Sequence, residues 1–341
     1  MKKTTLLVSA LAVSVFAAGS VATGAFAKVP EAQANRLGND LTPMGSEKAG
    51  SGDIPAWTGG LQTVPSGVSY KPGDKLANPF ASDPVKYTIT GQNMGQYDAV
   101  LTPGYKALLK AYPTYKMDVY ETRRSCAFPD KFYEANKRNA AVGELVGGGS
   151  GVSEAIFSSP FPIANNALEI IWNYTLRYRS FKAVRQFAAA PVTRSGDYTL
   201  QIVQDEAIFP YMDPAAKRAE DLNNISILYI ANTIAPARAA GNVILVYDAL
   251  NAEIQPRQAW QYSPGTRRVR RAPNIAYDNP GTNSDGLSTS DAFDGYNGAP
   301  DRYDWTVLGK TPRLIATNAY MAEATPYKDF LRPLHLNQDK V

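Results

Sequence analysis

The chain is 341 residues long, 44% hydrophobic and 19% charged, with a formal net charge of +4. This is a globular composition with ample material for a core. It excludes a disordered chain and a dedicated nucleic-acid binder. The single cysteine and single histidine, Cys126 and His335, exclude an intrachain disulfide, Cys/His zinc sites and most histidine-assisted nucleophiles.

Residues 1–27 have the order of a cleaved signal peptide. Lys2 and Lys3 form the basic start, residues 6–18 are apolar apart from Ser9 and Ser14, and Ala25-Phe26-Ala27 supplies the cleavage site. The apolar run is shorter than the ~20 residues a membrane span needs. Loss of Lys2 and Lys3 lowers the net charge by two, and the mature chain from Lys28 is expected outside the cytoplasm. No cysteine directly follows the cleavage site, so no lipid anchor is expected. In an oxidising compartment Cys126 lacks a partner, and its default reading is a buried, inert thiol.

Residues 28–95 are rich in Pro and Gly and read as an N-terminal wrap over a core built elsewhere, with one short helix at 30–37. The main domain occupies 96–341. Its first part is helical: 104–111 ends before Pro113, Asp130 is placed to cap 131–142, and Asn165 is placed to cap 166–178. Residues 116–121 read as a strand. Residues 147–151 are Gly-rich but lack the lysine of a phosphate loop, and read as a turn.

From residue 182 the pattern becomes a series of hairpins. Residues 182–194 and 198–209 flank Ser195-Gly196-Asp197; 225–234 and 243–250 flank Ala240-Gly241-Asn242; 257–262 and 266–272 flank Ser263-Pro264-Gly265. Residues 305–316 read as a fourth hairpin around Gly309-Lys310. The result is an antiparallel meander in a mainly β (α+β) protein.

In the second hairpin Ile225, Ile227 and Tyr229 share one face and Leu228 and Ile230 the other; Val243, Leu245 and Tyr247 oppose Ile244 and Val246. Both faces are apolar, so both call for cover. The helices before residue 180 can supply one. The other needs a second sheet or an apolar cavity, and the residues leave these two open.

The run Arg267-Arg268-Val269-Arg270-Arg271 puts arginines on both sides of a strand. The loop after it carries Asp278, Asp285, Asp291, Asp294, Asp301 and Asp304. Bidentate ion pairing between the two, with Asp301 and Asp304 as named partners, is one reading; an anionic head group or partner protein is the other. The spacing of Asp291, Asp294 and Asn297 fits no defined calcium loop, and Asp301 and Asp304 beside Trp305 are a weak glycosidase signal. The chain reads as non-enzymatic, with no catalytic residue, metal or cofactor.

The stretches WTGG (57–60), 87–113, VYETRR (119–124), PFPIANNALEIIWNYTLRYR (160–179), AWQYSPGTRRVRRAP (259–273) and DGYNGAPDRYDWTVLGK (294–310) resemble a family of exported Gram-negative proteins catalogued as a domain of unknown function. Its members are often described as outer-membrane lipoprotein-sorting proteins, by likeness to periplasmic lipoprotein carriers. The resemblance implies a half-open antiparallel β-barrel with helices over its concave face, an apolar cavity between them and a periplasmic location. It implies a hydrophobic ligand such as a lipid or lipoprotein acyl chain, or an envelope transporter or outer-membrane protein as partner. Tyr229, Leu245, Tyr247 and Trp260 are the candidate ligand-binding residues. Such relatives continue past the segment matching 333–336 with further strands, so the domain is expected to end short of them at Val341.

Overall fold

The computed structural model describes residues 29–71, 73–272 and 275–341. The signal-peptide reading lies outside the described residues. The N-terminal segment begins with a single helical turn, α1 (Glu31–Ala34), shorter than expected because the chain turns off at Asn35. It then crosses the surface of the helical layer. Trp57 Nε1 donates to the Cys126 carbonyl at 3.1 Å, and Asn136 Nδ2 donates to the Pro43 carbonyl at 2.9 Å. Cys126 is exposed, a correction to the buried reading: it lies in an extended strip over 120–129 that holds the wrap through the Cys126 carbonyl and the side chains of Arg123 and Arg124, not through the thiol.

The wrap ends in β1 (Tyr87–Thr90), which pairs antiparallel with β2 (Lys116–Val119). Between them α2 (Pro103–Ala111) starts with Pro103 in its first turn, and Thr102 Oγ1 accepts the Tyr105 N–H. Ile89, Leu101, Leu109 and Tyr115 close a small satellite core under this unit.

The main core starts with α3 (Asp130–Val142). Asp130 is the first helical residue, not the cap; its charge favours the positive helix end without a side-chain cap bond. Phe132 stacks on Phe157 with centroids 4.4 Å apart, and Asn139 is buried but satisfied by the carbonyls of Ile156 and Ser159 at 3.0 and 3.1 Å. The hairpin β3 (Glu144–Val146) and β4 (Gly151–Ser153) turns through Gly147, Gly148 and Gly149, all at positive φ. A Cβ on Gly149 would run into Leu168, and its carbonyl accepts the Trp172 indole N–H at 2.9 Å. That close approach is why the turn needs glycine. In α4 (Ala167–Thr175) the cap is Asn166, one residue later than expected. Asn166 Oδ1 accepts the Glu169 N–H at 3.0 Å, while Glu169 reaches back to the Asn165 N–H at 2.5 Å. This reciprocal capping box buries the Glu169 carboxyl.

Six strands follow: β5 (Lys182–Ala189), β6 (Gln201–Ile208), β7 (Ile225–Ala235), β8 (Val243–Ala249), β9 (Gln258–Ser263) and β10 (Arg268–Arg271). Each pairs antiparallel with the next, giving the sheet order β10-β9-β8-β7-β6-β5. The three expected hairpins are present. The edges β5 and β10 do not meet, so the sheet is open and not a closed barrel. The expected fourth hairpin is absent. Residues 303–319 are an extended strap whose second half bonds to the satellite unit, with Leu314 N–H on the Val100 carbonyl at 2.9 Å and Ala316 N–H on the Tyr105 hydroxyl at 3.2 Å, and Leu308 is 98% exposed. Gly309 and Pro312 interrupt any ladder there. Two short helices, α5 (Tyr320–Ala324) and α6 (Tyr327–Phe330), end the chain, and Tyr327 Oη donates to the Ala188 carbonyl on edge strand β5 at 2.7 Å.

One face of this sheet is covered by two different layers. Ala183, Ala207 and Ile227 pack against the core of Phe132, Trp172, Leu176, Phe209 and Tyr211. Farther along, the aspartate-rich loop lies over it: Asn283 Nδ2 donates to Thr233 Oγ1 at 3.3 Å, and Phe293 lies 5.8 Å from the Arg185 guanidinium. Among the described residues nothing covers the opposite face. The sequence-based demand that both faces be covered is therefore not met among the described residues.

Candidate functional site

Register assigns every strand residue to a face, because directly paired residues share one. On the bare face the ladders align three rows: Ile208–Leu228–Tyr247, Ile230–Leu245–Trp260, and Val243–Tyr262–Val269. These nine apolar and aromatic side chains are contiguous from β6 to β10. Ile230 is 42% exposed and Val269 64% exposed, so the block meets solvent directly. Tyr247 and Trp260 make an edge-to-face contact with centroids 5.4 Å apart, the Trp260 ring half-buried and the Tyr247 ring exposed. The polar corner of the same face, Gln186, Gln204 and Asn232, lies at the β5 side.

Three of the four candidate ligand residues, Leu245, Tyr247 and Trp260, thus come together. Tyr229 does not join them. It pairs with Val246 on the covered face and donates its hydroxyl to Asp205 Oδ2 at 3.0 Å. Burial there pushes its phenol well above the ordinary tyrosine range. Ile208, Leu228, Ile230, Val243, Tyr262 and Val269 complete the block without having been named as ligand residues. The i, i+2 spacing of Trp260 and Tyr262 was the signal for part of it.

The arginine run also departs from expectation. Arg268, Val269, Arg270 and Arg271 form the exposed edge strand, and Arg267 sits in the turn before it at φ +51°. Among the described residues none of Arg267, Arg268, Arg270 and Arg271 has an ion pair or hydrogen bond to a side chain of the aspartate loop. The loop is pinned by other arginines. Arg177 and Arg179 hold Asp294, Arg302 holds Asp278 at 2.7 Å, and Arg257 binds the Asn297 carbonyl at 2.7 Å and Asp248 at 2.7 Å. Asp301 accepts the Tyr277 hydroxyl at 3.0 Å. Asp304 is exposed and makes no comparable contact. Arg–carboxylate pairing does anchor the loop, but through Arg177 and Arg179 in the segment after α4, while the edge arginines face water. Asp291, Asp294 and Asn297 are likewise engaged by protein groups. Asp291 accepts the Thr289 and Tyr303 hydroxyls at 2.5 and 3.2 Å, and Asn297 is held by Arg257. Among the described residues no cluster of His, Cys, Asp and Glu has metal-site geometry.

An open depression of about 610 Å³ runs along α2, lined by Thr102, Tyr105, Leu108 and Tyr112. It belongs to the satellite unit and includes none of the sheet residues. No described helix is long and apolar enough to cross a membrane.

An open antiparallel meander with one covered face and one bare apolar face, edged by unpaired arginines, defines a β protein that presents a sheet surface. The chain belongs to DUF1329, a family of proteins of unknown function whose model matches residues 88–341. It is 44% identical over 349 residues to the uncharacterized protein PA3922 of Pseudomonas aeruginosa, across 99% of this chain and 74% of that protein. No solved structure matches it.

Proposed function

We propose that this is an exported, non-enzymatic periplasmic protein that binds or chaperones a hydrophobic ligand in envelope transport, with the acyl chain of a lipid or lipoprotein lying on the bare face of the sheet. The carrying observation is the contiguous apolar block of Leu245, Trp260, Tyr247 and their neighbours facing solvent. Soluble proteins rarely leave such a patch open unless something binds it. The half-open, lipoprotein-carrier-like barrel is part of the same reading: a six-stranded meander with unjoined edges is the unit from which such a half-barrel is made. The ligand residues are then Leu245, Tyr247 and Trp260, with Tyr229 supporting the sheet from behind.

An apolar fluorophore that brightens on burial tests this. It is expected to bind the purified protein and to be displaced by a long-chain fatty acid, and Leu245→Asp is expected to abolish binding while melting is unchanged. A wild type that binds no probe, but captures an envelope transporter or outer-membrane protein by crosslinking from position 260, makes the chain an interaction subunit instead.

A further inference from the structure

We propose that the occupant of the bare face is a single anionic lipid, its acyl chain laid across β6–β8 and its headgroup at the arginine edge strand; this rests on the apolar-face reading above and names the ligand class. The face changes character in one direction. Ile208, Leu228 and Ile230 on β6 and β7 are aliphatic; on β8 and β9 the rings of Tyr247, Trp260 and Tyr262 flank Leu245 and Val243; on β10 Val269 continues the apolar block and Arg271 adds a cation beside Trp260. That is the order of an amphiphile: hydrocarbon, interface, charge. Tyr and Trp favour such boundaries because one end of each ring is apolar and the other is wet.

The cations at the end of this gradient are free. Arg267, Arg268, Arg270 and Arg271 are exposed, and among the described residues no carboxylate pairs with them; the register puts Arg271 on the bare face and Arg268 and Arg270 on the other side of the same edge strand. All four are arginine, whose planar fork suits phosphate or carboxylate better than a lysine point charge. The other charges on the bare face, Lys182 and Glu206, lie at its β5–β6 end, across the apolar block from the arginines. Four strand spacings separate β6 from β10, roughly 19 Å. A lipid whose chain covers Leu228, Ile230 and Leu245 brings its headgroup to Arg271 beside Trp260, with Lys182 and Glu206 bounding the apolar block at the other side. A folded acidic partner would satisfy the arginines but has no reason to meet a graded aliphatic-to-aromatic approach to them.

Calorimetric titration of the purified protein with dodecyl phosphate and with uncharged dodecyl maltoside, each below its micelle concentration, tests the proposal. Dodecyl phosphate is expected to bind at least about tenfold more tightly, and the advantage to shrink in high salt, which screens exposed charges. Arg271→Gln is expected to bring the phosphate affinity down to that of the maltoside while maltoside binding and melting stay unchanged, and Arg270→Gln, on the opposite face, is expected to leave both affinities as they are. If Arg271→Gln fails to fold, the loss of the phosphate advantage in high salt carries the comparison. Equal affinities in the wild type overturn the anionic-headgroup inference and leave the apolar-face reading standing. Binding of neither compound removes that reading as well. Phosphate-ester binding that inorganic phosphate abolishes and Leu245→Asp does not touch marks a bare anion site and overturns the proposal. So does sedimentation with phosphatidylglycerol vesicles without uptake of either monomeric compound, which makes a bilayer surface the occupant.

Discussion

Arg185 on β5 stands directly opposite Asp205 on β6, with its Nε 3.0 and 2.9 Å from the two carboxylate oxygens. The pair is unequal. The Asp205 side chain is 4% exposed and that of Arg185 52% exposed. Removing the arginine leaves a buried carboxylate with only the Tyr229 hydroxyl; removing the carboxylate leaves a guanidinium that can turn to water. Arg185→Met is therefore expected to cost about 3 kcal/mol and Asp205→Asn about 1 kcal/mol. Denaturant unfolding of the two variants measures this, and the opposite order would show that Asp205 is not desolvated.

Adjacent residues on β7 test the assignment of faces. Ile230 points to the bare side, while Ala231 is buried across from Asp205. Ala231→Asp places a second unpaired carboxylate beside the first and is expected to cost at least about 3 kcal/mol. Ile230→Asp is expected to stay within about 1 kcal/mol of wild type. Comparable losses at both positions would mean that something covers the bare face.

The two sets of arginines should behave oppositely. Arg257 is buried, with Asp248 and Asn297 as partners, and Arg257→Ala is expected to cost about 3 kcal/mol by leaving Asp248 unpaired. Arg268→Ala and Arg270→Ala are expected to change stability by less than about 0.5 kcal/mol, since their side chains are exposed and unpaired among the described residues. Thermal melts of the three single variants decide it; a loss at Arg268 or Arg270 equal to that at Arg257 would restore the structural ion-pair reading.

Glu169 gives a pH dependence. Burial in the capping box raises its carboxyl above the ordinary glutamate value, outweighing the hydrogen bonds from Asn165 and Asn166. The folded state therefore holds this proton more tightly than the unfolded chain. Its contribution is fully present below the unfolded value, about 4.3, and is lost as pH rises through the raised folded value. Glu169→Gln is expected to flatten stability across that window in pH-dependent urea melts. An identical pH profile in wild type and variant would show that Glu169 is not desolvated.

The hairpins were legible because period-2 apolar runs and turn residues are local signals. Ser195-Gly196-Asp197, Ala240-Gly241-Asn242 and Ser263-Pro264-Gly265 each join the two strands they were expected to join. The helix at α2 and the turn at Gly147–Gly149 were legible for the same reason. The strap at 303–319 was misread because a Gly-Lys pair between apolar residues signals a hairpin only when a sheet is available to receive it. Here those residues bond to the satellite unit instead.

By itself the sequence determined the meander, its three turns, and the separation of Leu245 and Tyr247 from Val246 onto opposite faces. These follow from chain geometry: alternate residues of a strand must point apart. Only the tertiary structure decided which face is covered and which arginines are used. Two apolar faces look alike in sequence, and Asp294 lies 23 residues from Arg271 but 117 from Arg177, which holds it. The choice was made by α3, α4 and the aspartate loop docking on one side, which brought Asp294 to Arg177 and Arg179 and buried Arg257 with Asp248, leaving the edge-strand arginines in water.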